Sequence, residues 1–337
     1  MEFTAGGRLE VRVTAADVGK RVSVRKMTRP GGGGEKFSDT IGVLTSWDDG
    51  VLHITCRDGR SVRIPAADLV AGKVVPAAPA RRRGPAATFE ELARAGARAW
   101  QPVESETLGG WTLRASSGFT RRANSALALG DPGLPLDEAL ERVRRWYEER
   151  GLPAYVQAAT GAEGTQELLY AELERRGLRP EVSAETRIAA LAPLGDRDAD
   201  VSAVRLDRHC DEAWLRRYQR FSVPGPHVLH VLGSGPSVWF ASVPGEAGAP
   251  GEAGVPAAIG RCVIDGRWAG FMAVEVDPAR RREGLATAVM TALARRALEE
   301  GASAAWLQVE SENDGARALY DALGFTVHHR YHHFRTS

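Results

Sequence analysis

The sequence predicts a small all-β barrel followed by a duplicated α/β unit, and three observations carry that expectation. A Pro-, Ala- and Arg-rich segment with no hydrophobic period, Val75–Pro85, separates two kinds of text. Before it lie short runs of alternating polar and apolar residues. After it, helix-period and strand-like segments follow one another twice in the same order. At 337 residues, with 43% hydrophobic and 26% charged, the chain is long enough for two or three domains with real cores.

The early runs are Lys20–Lys26, Thr40–Trp47, Val51–Cys56, Ser61–Ile64 and Val70–Val75, five short strands. Turn residues divide them: the run Gly31–Gly34, then Asp49-Gly50 and Asp58-Gly59. Asp49-Gly50 between two alternating runs is a tight-hairpin signal. The expected form is an SH3-like barrel. Residues 1–84 carry 15 Lys and Arg against 9 Asp and Glu, whereas the whole chain nearly balances at 44 against 43. That surplus permits a nucleic-acid contact. Without aromatic residues interleaved among the basic ones, a solvated face or a docking surface for a protein partner is the simpler reading.

Beyond Thr88, Leu136, Ala139, Leu140, Val143 and Tyr147 recur at helical spacing, with Gly151 as a C-terminal stop. A strand over Ala154–Ala158, a helix over Glu167–Arg176 and a strand over Thr186–Leu191 complete the first series. The second has strands at Phe271–Val276, Ala305–Val309 and Thr326–Phe334, and helices at Leu285–Glu300 and Asp314–Leu323. Shared text supports a duplication: Tyr155-Val156-Gln157 beside Trp306-Leu307-Gln308, and two helices ending Gly177-Leu178 and Gly324-Phe325. Between the series, Gly245–Pro250 is repeated as Gly251–Pro256 and reads as a hairpin tip.

Three cysteines (Cys56, Cys210, Cys262) are too few and too dispersed for a disulfide framework or thiolate zinc site. No apolar run approaches the roughly 18–20 residues of a membrane span, and the first residues show no secretory pattern, so the cytoplasm is the expected location. The tract His328-His329-Arg330-Tyr331-His332-His333 could suggest a metal. On a strand, adjacent histidines point to opposite faces and cannot converge, so no metal is expected. One face of that strand, including Tyr331, could instead touch substrate.

The chemistry-bearing stretch runs Val274-Glu-Val-Asp-Pro-Ala-Arg-Arg-Arg-Glu-Gly-Leu-Ala-Thr287, from strand through turn to helix. Gly284 and Ala286 keep the turn bare, so main-chain nitrogens at the helix start face whatever enters, and three arginines add positive charge. It lacks the three glycines of a dinucleotide fingerprint and the Gly-Lys-Ser/Thr of a P-loop. By itself it fits an ordinary strand-to-helix connection equally well.

Together with Asn313-x-x-Ala316-x-x-Leu319-Tyr320-x-x-x-Gly324-Phe325, however, Arg281-x-x-Gly284-x-Ala286 resembles the two cofactor motifs of the GNAT superfamily of N-acetyltransferases, over about Val204–Phe334. With the barrel and the duplication, the chain resembles a two-part actinobacterial group of that superfamily. The implied fold is α+β or α/β, a tandem GNAT fold with a degenerate first half. Its division would be residues 1–76 as barrel, 77–90 as linker, 91–196 as the degenerate half and 197–337 as the acetyl-CoA-binding domain. Arg282 stands where Gly is frequent, and Glu283 where a base is frequent.

The resemblance implies acetyl-CoA as co-substrate and transfer to a primary amine of a small molecule or protein in a ternary complex. Its implied binding residues are Val274 and Val276 (pantetheine), the turn Arg281, Arg282, Glu283, Gly284, Leu285, Ala286 and Thr287 (pyrophosphate), and Asn313, Ala316 and Tyr320. Tyr320 would protonate the leaving thiolate, although a helix residue packed on a sheet needs no such role. For the base, Glu310 is favoured over Glu312 and over Glu275, whose alternation with Val274 and Val276 points it away from the cleft. The upstream half should be silent: after Asp131 its turn has Pro135, Asp137 and Glu138, which remove a donor and repel phosphate, and Leu173 aligns with Tyr320. The Phe119–Ser125 cluster is the one upstream place that could offer polar groups to a substrate, although a turn entering a strand is the simpler reading. A different class of function also fits: a protein that senses acetyl-CoA and recruits a protein or nucleic-acid partner through its barrel.

Overall fold

The computed structural model describes residues 10–27, 37–76, 84–218, 224–245 and 254–336. Gly31–Gly34, residues 77–83 of the Pro/Ala/Arg segment and most of the six-residue repeat lie outside the described residues. The first strands are β1 (Arg21–Met27), β2 (Phe37–Asp48), β3 (Val51–Cys56), β4 (Ser61–Pro65) and β5 (Leu69–Val74). Then come α1 (Phe89–Ala99), β6 (Glu104–Leu108), β7 (Trp111–Ala115), β8 (Ala126–Ala128), α2 (Leu136–Glu148), β9 (Tyr155–Thr160), α3 (Glu167–Arg175) and β10 (Pro180–Ala190). The second series has α4 (Ala192–Gly195), β11 (Arg205–Asp207), α5 (Glu212–Arg217), α6 (Pro226–Gly233), β12 (Ser237–Val243) and β13 (Ala258–Asp265). It ends with β14 (Trp268–Val276), α7 (Leu285–Glu299), β15 (Ala304–Glu310), α8 (Asp314–Ala322) and β16 (Thr326–Arg335).

Two compact units form: Met1–Pro79 with Ala158–Arg179, and Ala80–Gln157 with Pro180–Ser337. In the first, five strands pair in the order β4-β3-β2-β1-β5, and their alternation buries Val22, Val24, Leu44, Leu52, Ile54 and Ile64. Asp49 and Gly50 both take positive φ (49° and 72°), the geometry that lets two residues close a right-twisted hairpin. Helix α3 belongs to this unit. Just before it, Thr160 Oγ1 donates to the Arg57 carbonyl at 3.1 Å, and the buried Glu167 carboxylate accepts from the Gly161 amide at 2.8 Å.

The second unit holds one eleven-stranded sheet, ordered β11-β12-β13-β14-β15-β10-β16-β9-β8-β7-β6. The two series trade their last strands. β10, which ends the first, pairs antiparallel with both β15 and β16, and β16, which ends the second, lies between β10 and β9. Ala184–Ala189 of β10 are all buried, as a strand covered on both faces requires. Along β15 the faces divide residue by residue. Ala305, Leu307 and Val309 join Val289, Leu293 and Ala297 of α7, whereas Ala304 and Trp306 join Leu92 and Ala95 of α1 and residues of α5 and α6. α1 begins within the stretch read as linker, at a capped start where the Glu91 amide donates to Thr88 Oγ1 at 3.1 Å.

Two buried arginines knit this unit. Arg261, fully buried, donates to the carbonyls of Ala99 (3.0 Å) and Ser234 (2.5 Å), at the C-terminal ends of α1 and α6, and burial pulls its guanidinium down to about 10. Arg187 on β10 pairs with Glu185 on one side and with Asp321 of α8 at 2.7 Å on the other, so the first series' last strand grips the helix that carries Tyr320.

Candidate active site

The site grows from a defect in the sheet. β14 pairs in parallel with β15 only from Trp268↔Ala304 to Phe271↔Leu307. At that point Ala273 takes φ 53° and the pairing of β13 with β14 slips, so that Ile259 faces Glu275 but Arg261 faces Met272. The extra residue is a bulge, and it bends β14 away from β15. A cleft of about 540 Å³ opens between them, walled by Phe271–Glu275 on one strand and Trp306 and Gln308–Glu310 on the other. Unpaired edges here leave main-chain groups of β14 open to a ligand.

Beyond the cleft, β14 leads to the turn before α7. Asp277 fixes its start: one carboxylate oxygen accepts from the Ala279 amide at 2.9 Å, the other from Arg217 at 2.6 Å. The amide bond, then the Arg217 charge, hold this carboxyl below its usual range. Gly284 is the N-cap of α7 in the left-handed region (φ 82°), and no side chain caps the helix. A Cβ built on Gly284 would meet nothing within 4 Å. The 15-residue helix therefore opens with the amides of Leu285, Ala286 and Thr287 uncapped by any side chain, facing open space with the positive end of the helix dipole. Residue types and space fit a pyrophosphate. Arg282 takes φ 71° at a position where a side chain is strained, and Glu283 is neutralised by Arg280 at 2.7 Å.

Val274, Asn313, Ala316, Tyr320 and Glu310 all line the cleft. Val276 pairs with Ala258 and, like the residues from Arg281 to Thr287, lies outside the cleft lining. Asn313 caps α8, its Oδ1 accepting from the Ala316 amide at 3.0 Å, so its amide side chain serves the helix start. Tyr320 is 9% exposed with its ring edge-on to Phe325 at 6.0 Å, and it is both core residue and cleft wall. Glu275 corrects the alternation argument. The bulge at Ala273 breaks the two-residue period, and Glu275 lines the cleft together with Val274. Glu312 does not line it.

The wall opposite comes from the first series. Gly118, Phe119, Thr120, Arg121 and Arg122 line the cleft, the very cluster that the sequence singled out, together with Tyr155. Tyr331 and His333 reach the same space because β16 has moved next to the first series. Residues two apart share a strand face, which separates Tyr331 and His333 from His332, whose Nδ1 meets Ser183 Oγ at 2.8 Å. Arg122 Nε donates to Gln308 Oε1 (2.7 Å) and to the Tyr331 hydroxyl (2.9 Å). Burial raises the Tyr331 phenol above its ordinary range. Among the described residues no three His, Cys, Asp or Glu side chains are grouped to hold a metal, and no helix is long and apolar enough to cross a membrane.

Where the second series has its turn, the first has Pro135 as the N-cap of α2, with Asp137 and Glu138 in the first helical turn. Leu173 on α3 is buried. Leu173 has no proton to give, and Asp137 and Glu138 put negative charge at this helix start.

Comparison with known proteins fits this geometry. Residues 86–334 match the family model described as "Probable histone acetyltransferase Rv0428c C-terminal", and residues 16–73 match "Rv0428c N-terminal Sm-like domain". The probable histone acetyltransferase Rv0428c of Mycobacterium tuberculosis is 28% identical over 318 residues, 93% of each chain. Among solved structures, a GCN5-related N-acetyltransferase from Kribbella flavida superposes with TM-score 0.52 at 17% identity, over 72% of this chain and 93% of its own. A tandem GNAT protein from the clavulanic acid biosynthesis pathway gives TM-score 0.50 at 13% identity, over 76% and 90%. The tandem GNAT fold is thereby shown. The N-terminal match describes the small β domain as Sm-like; alternating burial and tight hairpins belong to any small five-stranded β unit and do not tell an SH3-like from an Sm-like form.

Proposed function

This chain belongs to the family of the probable histone acetyltransferase Rv0428c and is a GNAT-type acetyltransferase, and we propose that it moves the acetyl group of acetyl-CoA directly to a primary amine held in the same cleft. The observation that carries this is the bulge-opened cleft that places Tyr320 and two carboxylates beside β14, one turn away from the bare start of α7. Acetyl-CoA would supply an activated acyl carbon. The amides of Leu285–Thr287 with Arg281 and Arg282 would hold its pyrophosphate, and the open main chain of β14 around Val274 and Val276 its pantetheine arm.

Each residue then has a proton or a position to manage. Glu310, with Glu275 across the cleft, takes the proton that the amine loses as its nitrogen bonds to the acyl carbon. A β14 amide steadies the charge that gathers on the acyl oxygen. Tyr320 gives its phenolic proton to the sulfur as the carbon–sulfur bond breaks. The charge balances with both substrates bound together, and no acyl-enzyme is needed. Histones are named for the M. tuberculosis relative; for this chain the acceptor is a primary amine of a small molecule or protein. The Sm-like unit would supply a surface for a protein partner; its basic surplus lacks the interleaved aromatic residues that would favour nucleic acid.

CoA release from acetyl-CoA, followed with a panel of small amines and lysine peptides, tests this. Amine-dependent release is the expected result. Saturable acetyl-CoA binding without release on any amine would replace the enzyme with a sensor of acetyl-CoA.

A further inference from the structure

The two walls of the cleft differ in their polar groups, carboxylates on one and hydrogen-bond donors on the other. Glu275 and Glu310 stand on β14 and β15, while Arg122 and His333 stand on the wall supplied by the first series and by β16. Arg122 spends only its Nε, on Gln308 and Tyr331. Its terminal nitrogens make no hydrogen bond, and it pairs with no carboxylate, among the described residues. Trp100 and Tyr331 flank the guanidinium, with ring centroids at 5.9 and 6.0 Å. Neighbouring Arg121, by contrast, is neutralised by Glu181 at 2.5 Å.

His333 is 2% exposed, and neither ring nitrogen has a hydrogen-bond partner. Native interiors rarely leave such a group unsatisfied, so a ligand group is the natural partner. Burial, with Arg122, Arg114 and Arg121 nearby, keeps the ring neutral, with one N–H to donate. Gln308, which anchors Arg122, lies two residues from Glu310 on the same strand, about 7 Å along it.

We propose that Arg122 and His333 form a carboxylate subsite, so that the acceptor is a small ω-amino carboxylate whose amine reaches Glu310 while its carboxylate lies against Arg122. A planar guanidinium with both terminal nitrogens free takes a carboxylate in bidentate fashion, and the His333 N–H adds a third donor. This rests on the acetyl-transfer reading above and names its substrate class.

The test compares 5-aminopentanoate with its uncharged amide, 5-aminopentanamide, as acceptors for the full chain. Expected is a kcat/KM about tenfold higher for the acid, carried mainly by KM, as a charge-assisted contact gives. In Arg122→Gln and in His333→Phe the acid-to-amide ratio falls toward one, and Arg122→Lys keeps part of it. Should a variant fold poorly, calorimetry on the native chain with each compound alone reads the same preference. Equal kcat/KM for acid and amide, a ratio unchanged in Arg122→Gln, or a lysine peptide used better than 5-aminopentanoate would each overturn the subsite while leaving acetyl transfer standing. Absence of CoA release with every amine would count against transfer instead. The subsite would then stand or fall on whether the acid, and not the amide, binds.

Discussion

Helices α2 and α7 occupy corresponding places in the two series, and they begin in opposite ways. α7 opens on a left-handed glycine with no capping side chain and no acid in its first turn. α2 opens on Pro135 and fills its own positive end with Asp137 and Glu138. Neither start has a side-chain cap, but one is left positive for an anion and the other is countered by its own carboxylates. A duplicated frame can thus keep its packing while only one copy keeps a bare helix start. The first copy also serves the second: it lends β10 to the second series, and its Phe119–Arg122 turn walls the cleft.

That contrast can be broken in several ways. Tyr320→Phe should lower turnover by about a hundredfold or more, the usual worth of a positioned general acid, with acetyl-CoA affinity nearly unchanged. Leu173→Ala, at the aligned position, should cost stability by about 3 kcal/mol and leave the cleft's chemistry alone. Rapid-quench turnover and thermal melts separate the two effects, and unchanged turnover in Tyr320→Phe would remove it from the acid role.

The link between the series is Glu185, fully buried against Arg187 and Arg330. Burial alone would raise its carboxyl, but the bonds and charges of Arg187, then Arg330, outweigh it and hold the group below its ordinary range. Glu185→Gln should cost about 3 kcal/mol at pH 7, as breaking a buried pair does. A depressed carboxyl contributes stability above its unfolded value and loses it as pH falls through the folded one. The gap between variant and wild type should therefore narrow below about pH 4, the unfolded Glu range. Urea titrations at pH 7 and in acid check this, and a gap that widens in acid would contradict it.

Smaller effects sharpen the contrast at the helix start. Gly284→Val should weaken acetyl-CoA binding by about ten- to a hundredfold, because a branched side chain is strained at φ 82° and enters the open turn. Thr287→Glu, which copies the acid-bearing start of α2, should raise thermal stability by about 0.5 kcal/mol through the helix dipole while lowering acetyl-CoA affinity. If both quantities moved the same way, the trade between countering the helix dipole and binding the ligand would not hold.

Much of this was readable from residues. Helical spacing around Val143 and the stops at Gly151, Gly177 and Gly324 gave α2, α3 and α8 nearly to their ends, and Asp49-Gly50 gave the hairpin. Thr88 with Glu91 three residues on is a helix-start signal at the end of the Pro/Ala/Arg-rich stretch that the composition marks as linker. What sequence could not supply was long-range. No local pattern records that β10 pairs with β15, a register spanning more than a hundred residues, or that Tyr331 and His333 consequently face Arg122. Nor does alternation survive the bulge at Ala273, and so Glu275 turned up in the cleft.

The most direct test is a calorimetric titration of folded protein with acetyl-CoA, run beside Gly284→Val. A single saturable site in the native chain, weakened in the variant, is the outcome that the uncapped start of α7 requires. Equal affinity in both, or no heat from the native chain with acetyl-CoA or CoA, would mean that this helix start does not hold the donor.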